Sequence, residues 1–386
     1  MAYVGKRVKQ ARKLRGLTQL ELAEAAGVSV STIRKLEQEE RPSARMETLH
    51  ALAKALRVPT MSLVKAAEPS GPRVSASTDA LWESARAALT KPPVQPDDPA
   101  TVTGVTEVLE GAVELYRSHR FGALAAVLPP LIRDADALGG NGRPLRHRVL
   151  QLAAGALTHT RQFDVAEAVL TRALDTAGDR MESAATVNTL CWLLMRRGRL
   201  DEALALATRW ADELEPRISR ATAAELAAWG LMLLNVSAAA VRDNQPGVAA
   251  DALRLARAAA TAIGREVHPA HEQMRTFGPT TVRMKTVEDA LVRDHPDTAL
   301  RLAARLPRYP VRPSVSVRAR HTLAVAEAHA RVGQYPEAFG RLSEARAASP
   351  EWFPNQTPAR DVLRTVLEGR RALAPEMRAM AKSLGL

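Results

Sequence analysis

Six cations fall within ten residues near the start of the chain: Lys6, Arg7, Lys9, Arg12, Lys13 and Arg15. Ammonium and guanidinium groups at that density can do one kind of chemistry well. They neutralise phosphates and release the counterions condensed on them. Residues 1–65 carry 13 Lys and Arg against 6 Glu, a net +7, while the other 321 residues together carry only +5. A basic run alone is usually a solvated face, so its meaning depends on the elements that present it.

Those elements are helical. The run lies on V-G-K-R-V-K-Q-A-R-K-L-R, in which Val4, Val8, Ala11 and Leu14 supply an apolar stripe at helical spacing. Leu17 to Glu37 then reads as two short amphipathic helices joined by a tight turn. Thr18 is an N-cap candidate, and Glu21 three positions later completes a capping box. Leu20, Leu22, Ala23 and Ala26 recur at helical spacing. Gly27 stands where the chain must stop and turn through a left-handed conformation. Ser29 can cap the second helix, whose apolar side carries Ile33 and Leu36. A steep helix pair across a Gly-containing turn is a helix-turn-helix, with its second helix directed at a DNA major groove. A further amphipathic helix follows, with Met46, Leu49, Leu52, Ala53 and Leu56 inward, and another begins near Thr60.

Residues 4–64 resemble the five-helix, lambda-repressor-like DNA-binding domain of the phage-repressor, or xenobiotic-response-element (XRE), family of bacterial regulators. The resemblance rests on L17-T18-Q19 with E21-L22-A23, G27-V28-S29, I33 with L36-E37, and T48-L49 with L52-A53 and L56. It implies that Gln19 touches a phosphate, that Val30, Ser31, Arg34 and Lys35 face base edges, that Thr32 helps anchor the backbone, and that Ser29 belongs to the DNA-binding set. Lys6, Arg7, Arg12 and Arg41 are then phosphate candidates. The chemistry agrees in part: serine serves several bases, valine packs on a thymine methyl, and Arg or Lys pairs with guanine. Glu39 and Glu40 depart from the family pattern, which favours basic residues or glycine there.

Elsewhere, apolar residues make up 46% of the chain but aromatics only 4%, so the core must be built from Leu, Ala and Val, which suits close-packed helices. Arg outnumbers Lys by 45 to 9. The single Cys191 excludes an intramolecular disulfide and a thiolate zinc site. No secretory leader and no uninterrupted apolar run of membrane length is read, so a soluble cytoplasmic, nucleoid-associated protein with no membrane partner is expected. H268-P-A-H-E lacks metalloprotease spacing, and no phosphate loop or nucleophile elbow is present. His147, His159, His321 and His329 are scattered. No enzyme activity, cofactor or metal is expected.

Residues 66–103 read as a linker with one short helix at 79–89, broken by K-P-P-V-Q-P-D-D-P. From about 104 to 386 an approximate repeat runs through H119-R-F-G-A-L, T160-R-Q-F-D-V-A, R197-G-R-L-D-E-A, D243-N-Q-P-G-V, R293-D-H-P-D-T-A and V332-G-Q-Y-P-E-A. Its anchors, Leu124, Ala166, Ala203, Val248, Ala299 and Ala338, lie 42, 37, 45, 51 and 39 residues apart. That period predicts stacked helical hairpins. The region resembles tetratricopeptide repeats (TPR) with long hairpins, and F277-G-P-T-T-V resembles a segment of actinobacterial regulators with this architecture. The joint expectation is an all-α chain: a DNA-binding domain at 1–65 and a TPR-like α-solenoid that senses and dimerises. Similarity to Gram-positive peptide-sensing (quorum-sensing) regulators implies a homodimer on a roughly palindromic double-stranded operator and a small peptide effector. Asn188 and Asn235, set in apolar helices, with Tyr116, Arg275 and Arg283, are the candidate ligand contacts. Trp192, Trp210 and Trp229 are read as repeat packing. The rivals are a TPR interaction scaffold and a ligand-independent repressor.

Overall fold

The computed structural model describes residues 4–14, 17–38, 46–56, 58, 63, 76–90, 100–269, 275–306, 313–369 and 374–386. Among these residues every regular element is a helix, and the sole strand-like pairing is an isolated bridge between Val267 and Phe277.

Four N-terminal helices close around their own core: α1 (Val4–Leu14), α2 (Gln19–Ala26), α3 (Val30–Glu37) and α4 (Met46–Leu56). Val8, Leu22, Ile33, Leu36, Leu52, Leu56 and Leu63 are buried together there. Leu63 is helical, and the rest of the helix expected near Thr60 lies outside the described residues. The capping box forms as the spacing predicts: Thr18 N–H donates to Glu21 Oε2 at 2.6 Å, and Glu21 N–H donates to Thr18 Oγ1 at 3.2 Å. Gly27 takes φ +64°, which a side chain would resist. Leu20, expected on the apolar stripe, is instead 55% exposed, because α2 meets the core through Leu22, Ala23 and Ala26.

The helix Ala76–Thr90 packs on Phe121–Ala137, with Trp82 and Ala85 buried in the largest apolar cluster of the chain. The stretch expected to be linker therefore contributes a wall of the helical array. Helical hairpins follow from Val102 onward, and six of them turn in one way. The residue two before the second helix is left-handed in each: His119, Arg161, Gly198, Asn244, Asp294 and Gly333. The next amide in each case reaches back five residues to a carbonyl, as in Arg120 to Leu115 and Gln245 to Ala240. One corner is thus repeated within these six hairpins.

Anchors Leu124, Ala166, Ala203, Ala299 and Ala338 are fully buried, which lets each helix pair approach closely. Val248 does not serve as the fourth anchor: it is 42% exposed, and Ala249 is buried in its place. Counting three residues from Pro246, as in the other copies, gives Ala249. The helix Ala223–Arg242 is long and apolar enough to cross a membrane despite Asn235 and Ser237, yet most of it is buried inside the array. Phe277 fills the space over Gly230, where a Cβ would come within 2.0 Å of the ring. Glu266 accepts bonds from the Thr280 and Thr281 amides and the Thr281 hydroxyl, capping the helix that Phe277-Gly278 introduces. The F-G-P-T-T-V segment is thus a structural joint.

Candidate functional site

Ser29 opens α3 by accepting the Thr32 amide at 3.2 Å, and its hydroxyl also bonds those of Ser31 and Thr32 at 2.8 Å each. Three hydroxyls thus share one chain at the N-terminus of α3, where unpaired amides favour an anion. Ile33, Leu36 and Glu37 point inward. Ser31, Arg34 and Lys35 point out, and neither cation has a partner among the described residues. Val30 is half-buried and packs against the core, leaving part of its surface for contact.

Two of the expected phosphate contacts have partners inside the domain. Arg12 donates to Glu37 through Nε at 2.6 Å and Nη2 at 2.8 Å, and to the Leu17 carbonyl through Nη1 at 2.8 Å. Gln19 Nε2 donates to Glu37 Oε2 at 2.9 Å. These bonds join α1 and α2 to the last turn of α3. Burial alone would raise the pKa of Glu37, but hydrogen bonds from Arg12 and Gln19, with the charges of Arg12 and Lys9, hold it below the usual carboxylate range. Lys6 and Arg7 lie on α1, but their side chains fall outside the described residues, as do Arg41, Glu39 and Glu40 altogether. Gly5 and Glu37 were missed as positioning residues. A Cβ on Gly5 would stand 1.9 Å from the Leu36 carbonyl oxygen, so α1 crosses the end of α3 at backbone contact.

The ligand candidates separate into three places. Asn235 Nδ2 donates to Asn188 Oδ1 at 2.7 Å with both residues buried. The recess beside Asn188, lined by Met181, Ala185, Leu231, Met232 and Pro269, holds about 10 Å³, room for no more than one water. Arg283 is exposed on the outside of its helix. Tyr116 is buried, its ring 6.2 Å from Phe121 and 5.5 Å from His159, which makes it a packing residue. Arg275 lies with its guanidinium carbon 5.0 Å from the centre of the Trp192 ring.

Trp210 and Trp229 are apolar packing residues as expected, whereas Trp192 sits in an aromatic and cationic cluster. His159 stands 4.6 Å from it and accepts from Trp352 Nε1 at 3.1 Å through Nδ1. Burial, followed by the charges of His119, Arg320, Arg196 and Arg275, keeps His159 neutral, its pKa well below the usual imidazole value. His119, between Ser349 and Ser316, is lowered to about 4 by burial and then by Arg320. Cys191 is buried and pushed up to about 12, which makes it a poor nucleophile. Among the described residues no three His, Cys, Asp or Glu side chains lie close enough to hold a metal.

Residues 8–63 match the family described as Helix-turn-helix, and this segment is the DNA-binding domain of the chain. No curated protein matches the chain. Among solved structures it is similar to Bacillus thuringiensis PlcR in complex with the peptide PapR7 and DNA, at 13% identity and a TM-score of 0.39, covering 84% of this chain and 99% of that one.

Proposed function

We propose that the chain is a cytoplasmic, homodimeric transcription regulator, with DNA bound by a domain ending near residue 65 and a ligand received by a TPR-like array beginning near residue 104. The observation that carries the reading is the outward face of α3, where Ser31, Arg34 and Lys35 stand exposed above buried Ile33 and Leu36. Hydroxyl and guanidinium groups on an exposed short helix, its N-terminus unobstructed, match the edges offered in a major groove. Two protomers would place these helices about 34 Å apart on a roughly palindromic operator. The array's effector would be a short peptide, since a curved row of helical hairpins offers an extended concave face.

Selection of bound duplexes from a random pool tests the DNA reading. The wild-type chain should enrich a two-fold symmetric sequence, and the Arg34→Ala/Lys35→Ala double variant should lose that enrichment while retaining weak general affinity. Equal enrichment by both proteins would refute the assignment of α3 as the reading helix.

A further inference from the structure

The face of the helix Arg180–Arg197 that carries Asn188 also carries Trp192 and Arg196, each four residues on. Trp192 is only 6% exposed, and its indole Nε1 has no hydrogen-bond partner. Arg275 and Arg320 both lie over its ring, with guanidinium carbons 5.0 and 5.1 Å from the centroid. Two cations sharing one ring are at most about 10 Å apart and repel each other. Arg320 Nη2 is buried without a partner, and neither the Arg275 nor the Arg320 guanidinium forms a hydrogen bond or ion pair among the described residues. Arg196 reaches only neutral groups, Gln356 Oε1 at 3.1 Å and the Asn355 carbonyl at 3.3 Å.

Among the described residues the carboxylate that offsets Arg320 is Glu288, and it is already bonded to Arg242 at 2.5 Å and Lys285 at 2.7 Å. His159 and His119, also close to these arginines, are neutral and add no negative charge. Among the described residues Lys285, Arg242 and Arg320 share this one anion, and Arg275 and Arg196 bring no further one. Stacking a cation on an indole recovers less than it costs to take an unpaired ion out of water. Burial accordingly lowers Arg196 to about 9 and Arg320 to about 10, with the repulsion of neighbouring arginines adding to the effect. The arrangement does not serve the stability of the empty protein.

We propose that Arg275 and Arg320, gathered on Trp192, form with Arg196, four residues along the same helix, a binding site for a carboxylate, which supplies an anion that the described residues lack. The site deepens the ligand-sensing reading given above, and assigns the array a ligand with an acidic end, either a peptide's C-terminus or a small organic acid. Neither Asn188 nor Asn235 is needed for this contact, and of the five candidates read from sequence only Arg275 belongs to it as a donor.

The test uses the full chain labelled with 5-fluorotryptophan in chloride-poor buffer, following the ¹⁹F resonance of Trp192, assigned with Trp192→Phe. The probes are citrate, N-acetyl-trialanine and N-acetyl-trialanine amide. Citrate and the free acid should move the resonance saturably, and the amide should bind at least about tenfold more weakly, the loss expected for removing one charged hydrogen-bonding group. Arg275→Met and Arg320→Met should each abolish the response, and Arg320→Met should raise the melting temperature of the ligand-free protein. An unmoved resonance with both citrate and the free acid would overturn the site. Equal responses to acid and amide would remove the carboxylate site but leave a peptide-binding array standing. A response to citrate alone would support the site and remove the peptide as its ligand. Arg275→Met keeps the test decisive should Arg320→Met fail to fold.

Discussion

Glu37→Leu is the most informative single change in the DNA-binding domain. The Glu37 side chain is 2% exposed and that of Arg12 11%, and three hydrogen bonds, two from Arg12 and one from Gln19, end on the one carboxylate. Removing one member of a buried pair costs about 3–5 kcal/mol, because the other charge stays buried without its counter-ion. The pair lies at the edge of a small domain, so about 3 kcal/mol is expected. At roughly 4–8 °C per kcal/mol for a unit of this size, the segment should melt some 12–24 °C lower. Hydrogen exchange of the α1 and α3 amides in the full chain reads this directly.

Glu37→Gln retains an acceptor and should lose about half as much. Arg12→Met/Glu37→Leu, which removes both charges, should recover most of the loss. The pH dependence follows from the lowered pKa of Glu37. A carboxylate whose folded value is depressed contributes fully above its unfolded value, about 4.3, and loses that contribution as pH falls through the folded value. The gap between wild type and Glu37→Gln should therefore be full at pH 7 and shrink below about pH 4. Unchanged exchange in Glu37→Leu, within about 0.5 kcal/mol, would refute the reasoning.

Lys9→Ala, at an exposed position, should flatten the slope of log affinity against log salt by about 0.9, whereas Arg12→Ala should weaken operator binding with no change in slope, as read by fluorescence anisotropy over a salt series. Gly5→Ala would drive a Cβ to 1.9 Å from the Leu36 carbonyl, a backbone atom that cannot rotate away, and should cost about 3 kcal/mol by calorimetry. Trp82→Ala should destabilise the array by about 3–5 kcal/mol and expose residues 80–89 to protease, because the indole is 1% exposed within the main apolar cluster.

What the sequence made legible was local. The Thr18–Glu21 capping box, the Gly27 turn and the Ser29 cap depend on groups three residues apart, and spacing alone specifies them. Hairpin positions were legible because a turn, a bulky residue and a small anchor recur together. Only the fourth anchor slipped in register, since the buried small residue is Ala249, one position beyond Val248. What was hidden pairs residues far apart. Arg12 meets Glu37 across 25 positions, and Asn188 meets Asn235 across 47. Both pairs are contacts between distant segments, which no periodicity encodes. Arg320 was missed because nothing in V-S-V-R-A-R-H distinguishes one helical arginine from the next, and only the fold brings it to Trp192.

Among the described residues two hydrogen bonds of His50 join the N-terminal helices to the array. His50, on α4, donates from Nε2 to the Val292 carbonyl at 3.2 Å, and its own carbonyl accepts from Asn244 Nδ2 at 3.4 Å. Asn244 is a left-handed corner of the array, and Val292 ends the helix before another, so α4 leans on two successive hairpin turns. Two long, partly exposed neutral bonds contribute about 1 kcal/mol each. A coupling carried by them alone is limited to about 2 kcal/mol, roughly a 30-fold change in DNA affinity on ligand binding. His50→Ala removes the Nε2 bond and should cut the ligand's effect on affinity severalfold while leaving ligand binding unchanged. A ligand response well above 30-fold that survives His50→Ala would place the coupling elsewhere, in a change of dimer geometry.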